Sequence, residues 1–152
     1  MNRMPLQLGV GALLLGWSLC VVAQPPRLPA IVDLAMADAD GKPMAVVTGD
    51  DNHMKVLSGE GKRAVEVSRY RSSDKLLEAS VKRYEQVTLA LKDWPIDELM
   101  HFVSGRVQIT DGTGHAQIYG PGDTIVMPRG FTGEWKQLGT IEMVTLTYGT
   151  WQ

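Results

Sequence analysis

Residues that could carry catalytic or metal chemistry are few in this sequence. The chain has three histidines and a single cysteine. The run Asp50-Asp51-Asn52-His53 offers oxygen and imidazole donors, which could bind a cation weakly or simply form a solvated loop. His101 lies in a stretch of alternating apolar and polar residues, so we interpret it as a partly buried sheet histidine or a dimer contact. His115 borders a predicted turn. The histidines therefore do not by themselves predict a metal site.

The one cysteine, Cys20, falls in a segment with the features of a secretory signal peptide. A single cation, Arg3, precedes a charge-free apolar run from Leu6 to Ala23, which ends in Val21-Val22-Ala23. We therefore predict a signal peptide over residues 1–23, cleaved after Ala23, and a periplasmic or secreted protein with no membrane span after cleavage. The alternative, an uncleaved anchor, would be a short span interrupted by glycines. Cleavage would remove Cys20, which excludes a thiol nucleophile and cysteine-ligated zinc from the mature domain.

Composition restricts the class of protein further. With 15 basic and 17 acidic residues, the net charge of −2 excludes a strongly basic protein, and we predict no nucleic-acid partner. Cations near residues 63–71 and at Lys82 and Arg83 are interpreted as a solvated strand face. The hydrophobic content of 44% argues against disorder, and a mature chain of about 130 residues can build one core.

The spacing of apolar residues predicts a single all-β domain over residues 63–152. Residues 24–62, which begin with a proline-rich linker and continue with acidic turn signals, are predicted to form an extended N-terminal arm of loops with a short strand at 44–48. Residues 73–78 are either one helical turn or a loop, and residues 111–114 a hairpin turn. Strands at this spacing are typical of a sandwich or small jelly-roll barrel, and the pattern predicts them at residues 64–70, 81–91, 98–110 with a bend or bulge at Gly105, 115–119, 124–127, 132–137 and 141–148.

Two glycine-containing motifs connect this pattern to a known superfamily. Glu98 is followed after six residues by Gly105, and Gly122 is followed after five residues by Pro128-Arg129-Gly130. The run Phe131-Thr132-Gly133-Glu134-Trp135 follows directly, and residues 69–74 carry a similar likeness. These features resemble the cupin superfamily, and in particular its ureidoglycine aminohydrolase-like branch, over about residues 64–148. The resemblance implies a cupin-type double-stranded β-helix, that is, a small jelly-roll barrel, and a possible homodimer.

The sequence departs from metal-binding cupins at the positions of their histidines. Those proteins carry His-x-His four or five residues before the motif glutamate and a third histidine two residues after Pro-x-Gly. The corresponding residues here are Lys92 and Trp94, or Leu91 and Asp93, and then Gly133. Only the glutamate, Glu98, remains, and one carboxylate does not satisfy a transition metal. We therefore predict no metal and no cofactor.

The resemblance also implies which side chains face the barrel interior. Strand alternation places Glu98, Met100 and Phe102 on one face and Gly133 with Trp135 on another. We predict a small-molecule site whose ligand-binding residues are Glu98, Trp94, Lys92, Tyr84, Met100, Phe102, Met127 and Trp135. Trp135 would either stack on a ligand or fill the space of a missing histidine, and the two methionines are equally consistent with a core.

Glu98 has two interpretations at this point. As a carboxyl in an apolar pocket it could act as a general acid or base, or accept hydrogen bonds from a ligand. As a structural group it would pair with Lys92, Arg83 or Arg106. The first hypothesis for function is therefore an exported cupin that binds a small polar molecule, carbohydrate-like or ureide-like, without a metal. The alternatives are a cupin enzyme of aminohydrolase, isomerase or lyase type that uses Glu98, and a structural protein with a filled barrel.

Overall fold

Ten antiparallel strands make up the part of the chain that the structure, a computed structural model, describes: residues 31–32, 34, 52–59 and 64–150. All of these lie in one unit, Ile31–Gln152. The strands are β1 Met54–Ser58, β2 Ala64–Arg71, β3 Leu77–Tyr84, β4 Thr88–Leu91, β5 Asp97–Ser104, β6 Val107–Asp111, β7 Ala116–Tyr119, β8 Thr124–Met127, β9 Gly133–Gln137 and β10 Ile141–Tyr148. Within these ranges no helix is present, and so none that could cross a membrane.

The strands form two five-stranded sheets with interleaved connections. The first sheet has the order β1-β4-β9-β6-β7 and the second the order β2-β3-β10-β5-β8. Neighbours in each sheet are mostly distant in sequence, because the chain crosses repeatedly from one sheet to the other, as in a jelly roll. The prediction of an all-β jelly-roll fold is confirmed.

The apolar core fills the space between the two sheets. Burial alternates along β5, β6 and β10, so one face of each of these strands packs into the core. Phe102 packs against Trp135 and Tyr119, with ring centroids 6.2 Å and 6.4 Å apart. The core cluster comprises Val87, Leu89, Leu91, Met100, Phe102, Val107, Ile109, Met127, Trp135, Ile141 and Met143.

Two stretches predicted as single strands each cross between the sheets, so those predictions are wrong. The stretch predicted at 81–91 consists of β3 in the second sheet and β4 in the first. The stretch predicted at 98–110 divides into β5 and β6 at Gly105, where the predicted bend is confirmed. Gly105 has a φ of +76°, and a Cβ at this position would collide with the carbonyl oxygen of Thr140. Glycine is required there because only it combines this backbone angle with so close an approach.

Several other predictions can be compared with the structure. The strands at 124–127 and 141–148 and the 111–114 turn are confirmed. The loop alternative for 73–78 is confirmed over 73–76, whereas residues 77–78 begin β3. β1 lies inside the predicted arm and pairs with β4, so the expectation of loops is wrong at Met54–Ser58. The signal peptide at 1–23 and the strand at 44–48 lie outside the described residues.

The outer face of the second sheet carries exposed apolar side chains. Leu99, Val126 and Leu146 are among them. His101 lies on this face too and hydrogen-bonds Thr124 at 2.8 Å, as expected for a partly buried sheet histidine. The homodimer stays a prediction.

Candidate functional site

The inner face of the second sheet is polar on β2 and β3 and apolar on β5 and β8. Strand register places the inward-facing residues in three rows across β2, β3, β10 and β5. The rows are Glu66, Lys82, Met143 and Phe102; then Ser68, Ser80, Thr145 and Met100; then Arg71, Glu78, Thr147 and Glu98. Polar side chains therefore accumulate beside the core on one side of the barrel interior.

A buried lysine connects two carboxylates across this face. The Nζ of Lys82 donates a hydrogen bond to Glu98 Oε1 at 3.0 Å and lies 3.4 Å from Glu66 Oε1. The hydroxyl of Tyr84 donates to Glu66 at 3.4 Å. We call Glu66, Lys82 and Glu98 the charged cluster. Its side-chain exposure rises from 4% at Glu98 to 12% at Lys82 and 35% at Glu66, so the cluster leads from the barrel interior toward the solvent.

The electrostatics of the charged cluster hold the lysine in its charged form. Burial lowers the pKa of the Lys82 ammonium, but the negative charges of Glu98 and Glu66 and the hydrogen bond to Glu98 outweigh burial and raise it above its ordinary value. Burial raises the pKa of the Tyr84 hydroxyl, so the phenol stays neutral at physiological pH. Lys82 is therefore a fixed internal cation and not an acid–base catalyst near neutrality.

A second ion pair adjoins the charged cluster on the same face. Arg71 pairs with Glu78 across β2 and β3. Burial raises the pKa of the Glu78 carboxyl, but hydrogen bonds from Ser68 and Arg71 outweigh it, and the pKa is lowered overall. This pair is electrically neutral and leaves the charge of the cluster unbalanced.

Two buried hydroxyls lie in the row between Lys82 and Glu98. Ser80 and Thr145 are cross-strand partners on β3 and β10 and are 2% and 0% exposed. Neither Ser80 Oγ nor Thr145 Oγ1 has a hydrogen-bond partner. Because buried hydroxyls are normally hydrogen-bonded, these two mark a position that a water molecule or a ligand atom would satisfy.

Four of the eight predicted ligand-binding residues belong to the core. Met100, Phe102, Met127 and Trp135 are buried and pack in the same cluster. For Trp135 and the two methionines this position corresponds to the core-filling alternative.

The other four predicted residues lie in different surroundings. Trp94 and Tyr84 are half-buried and pack against the core from its margin. Lys92 is exposed, and its backbone N–H donates to the carbonyl of His53. Glu98 is buried and paired, as in the structural interpretation, but its partner is Lys82 and not Lys92, Arg83 or Arg106.

Sequence reasoning missed the most informative residue of the site. Lys82 was interpreted as part of a solvated strand face, but its side chain is largely buried. The available signal was alternation along β3, which places Ser80, Lys82 and Tyr84 on one face. Alternation did not identify that face as the inner one, because Ala79 and Val81 on the other face are apolar and also buried.

The residues do not fit the metal site that the fold family implies. A Cβ at Gly133 would lie 2.8 Å from the Phe131 ring and in collision with the Thr110 carbonyl oxygen, so the space for the third histidine is taken. The Lys82 ammonium hydrogen-bonds Glu98 Oε1, so this oxygen, the candidate metal ligand, is already paired. Among the described residues no group of three or more His, Cys, Asp or Glu could hold a metal ion.

One cleft lined wholly by described residues lies elsewhere on the barrel. It has a volume of about 260 Å³ and is formed by Arg106, Ile118, Tyr119, Gly120, Pro121 and Asp123. None of the predicted site residues lines it.

The described residues form a cupin-like jelly-roll fold. Residues 91–143 match the family described as the EutQ-like cupin domain. The matched segment runs from β4 into β10, so it includes Glu98 but not Lys82. The ureidoglycine aminohydrolase-like branch stays a prediction. No curated protein sequence matches the chain significantly.

Solved structures show the same fold at low sequence identity. A protein of unknown function from Pseudomonas syringae is 19% identical with a TM-score of 0.53, over 56% of this chain and 36% of that one. A protein described as ethanolamine utilization protein Q, from Salmonella typhimurium, is 14% identical with a TM-score of 0.51, over 59% of this chain and 72% of that one. A cupin superfamily protein from Desulfitobacterium hafniense is 14% identical with a TM-score of 0.50, over 80% of this chain and all of that one. These similarities concern the fold alone.

Proposed function

We propose that this protein binds a small polar molecule on the inner face of its cupin barrel, through the charged cluster and the neighbouring hydroxyls, without a metal ion. The observation that carries the proposal is the position of Lys82, whose ammonium contacts the one carboxylate that remains from the metal-ligand pattern of the superfamily. The internal cation of this barrel is thus part of the polypeptide.

The two hydroxyls beside the charged cluster favour a binding site over a purely structural ion pair. Burying a hydroxyl without a partner costs free energy, on the order of 1–3 kcal/mol. A purely structural barrel would favour apolar residues at Ser80 and Thr145, as it does at Met100 in the same row. Polar atoms of a ligand, carbohydrate-like or ureide-like, would supply the missing hydrogen bonds.

Metal analysis and a ligand screen together test this proposal. Protein purified without chelators is analysed for its elements, and its thermal unfolding is followed with sugars, ureides and organic acids. We expect less than stoichiometric metal and a ligand-dependent rise in Tm in the wild type that is lost in S80A/T145V. A full equivalent of Mn, Fe, Ni or Zn would contradict the proposal.

The enzyme alternative is distinguished from the binding protein by testing whether the chain converts a ligand that the screen identifies. If a ligand that binds is also converted, and Glu98→Gln abolishes conversion while circular dichroism shows an intact fold, Glu98 acts as a general acid or base. Binding without conversion supports the binding protein.

We also propose that the chain is exported and cleaved after Ala23. The support is the arrangement of Arg3, the apolar run and the small residues before Gln24. Full-length protein expressed in a bacterium with a periplasm should be recovered from that compartment with Gln24 as its first residue. Recovery of the uncleaved chain from the membrane fraction would instead establish the anchor.

A further inference from the structure

The charges of the charged cluster do not balance. The charged cluster contains two carboxylates and one ammonium, and therefore has a net charge of −1. The adjoining pair of Arg71 and Glu78 is neutral and does not change this sum. A buried or half-buried charge without compensation is costly, so the site favours a group that brings positive charge.

The arrangement also disfavours an anionic ligand. Lys82 is the one cation of the charged cluster, and its Nζ already faces the carboxylates of Glu66 and Glu98. An anion approaching Lys82 would come close to Glu66 and Glu98 as well. Repulsion from these two groups would offset the attraction of the ammonium, because all three interactions act over similar distances.

The unpartnered hydroxyls offer acceptors for a donor-rich ligand. Ser80 Oγ and Thr145 Oγ1 are buried in the row between Lys82 and Glu98 and have free lone pairs. An ammonium or guanidinium group has only donors, so it can bind two carboxylates and a hydroxyl oxygen at once. The rise in exposure toward Glu66, on edge strand β2, gives such a group an approach from solvent.

We infer that the ligand of this site carries a cationic nitrogen of the ammonium or guanidinium type, bound between Glu66, Glu98 and the hydroxyls of Ser80 and Thr145. This inference rests on the proposed function and specifies its ligand class. It follows from the charge of the cluster, the position of the two hydroxyls and the exposure of Glu66.

A charge series of four-carbon compounds tests the inference. Putrescine, 1,4-butanediol and succinate have the same chain length and carry two positive charges, none and two negative charges. Binding of each is measured by calorimetry with the full chain, as are Glu66→Gln and the control Glu142→Gln. Glu142 is a matched control because it forms an ion pair with Arg83 on the opposite face of the same sheet.

The expected result is binding of putrescine at least tenfold tighter than binding of the diol or the dicarboxylate. Glu66→Gln should weaken putrescine binding by about tenfold, while Glu142→Gln leaves it unchanged. Equal losses in the two variants would mean non-specific attraction to an acidic surface and would overturn the inference. Tighter binding of succinate or butanediol would also overturn it while leaving the proposed binding function intact. If none of the three compounds binds and the ligand screen also finds no ligand, the result would count against the proposed function itself.

Discussion

Removal of the Lys82 ammonium is the perturbation that most directly tests the charged cluster. In Lys82→Met the aliphatic stem is preserved, but Glu98 is left as a buried carboxylate without its partner. At the distance of 3.0 Å, the attraction between the two charges is about 5.5 kcal/mol with an effective dielectric constant of about 20. Part of this is offset by desolvation, and we expect a loss of about 3–5 kcal/mol in the free energy of unfolding.

A double-mutant cycle separates the ion pair from the packing of the lysine stem. Glu98→Gln removes the charge that Lys82→Met leaves unpaired, so the double variant should be less destabilised than the two single losses added together. We expect a coupling free energy of about 2 kcal/mol or more. The control cycle uses Arg83→Met and Glu142→Gln, whose pair includes an exposed arginine on the outer face, and should give below about 1 kcal/mol.

Urea unfolding followed by tryptophan fluorescence gives each free energy, because Trp135 lies in the core. The reasoning is refuted if the Lys82–Glu98 coupling is no larger than that of the control pair. Such a result would mean that Glu98 does not depend on Lys82.

Three further predictions concern pH, a hydroxyl and two glycines. The folded-state pKa values of Lys82 and Tyr84 lie above their unfolded values, so the stability that these groups contribute is complete below about pH 10 and is lost at higher pH. The loss is up to about 1.4 kcal/mol per pH unit for each group. Urea unfolding between about pH 9 and pH 11 should therefore show a smaller loss of stability in the K82M/Y84F variant than in the wild type. Thr145→Val should leave the ligand-free protein unchanged or stabilise it by about 1 kcal/mol, because the hydroxyl has no partner; a loss of 2 kcal/mol would reveal a bound water instead. Gly105→Ala should lower the free energy of unfolding by more than about 3 kcal/mol in the same assay, and Gly114→Ala by only about 1 kcal/mol. Both glycines have a positive φ, but only at Gly105 would an added Cβ collide with backbone atoms. Equal losses would contradict this account.

Much of the fold was predictable because turn chemistry is local. Asp111 to Gly114, Gly122 and Gly130 mark turns by residue type alone, and the strands between them follow from alternation. The crossings between sheets were not predictable in this way. At Glu85–Val87 the chain changes sheet although Val81, Val87 and Leu89 all fall on odd-numbered positions, so the spacing gives no sign of the break. At Gly105 the buried positions change from even-numbered to odd-numbered residues, which indicates a bend there but not a change of sheet.

The candidate site was predictable only as far as its motif extended. Glu98 could be found because its distance from Gly105 is a feature of the resemblance. Its partner lies sixteen residues earlier, on a strand that does not neighbour β5, and the contact depends on long side chains reaching across β10. No spacing in the sequence indicates a contact between side chains on two strands that are not neighbours. The sequence therefore predicts a solvated position for Lys82.

The covalent attachment of the internal cation has a consequence for assembly of the protein. A site that depends on a captured ion is finished only after synthesis, and its occupancy follows the supply of that ion. Here the ammonium beside Glu98 belongs to a lysine side chain, so every synthesised molecule carries this positive charge at the same position. Its presence is therefore indifferent to chelators and to metal starvation, and only a change to the gene or a chemical modification of the amine could remove it.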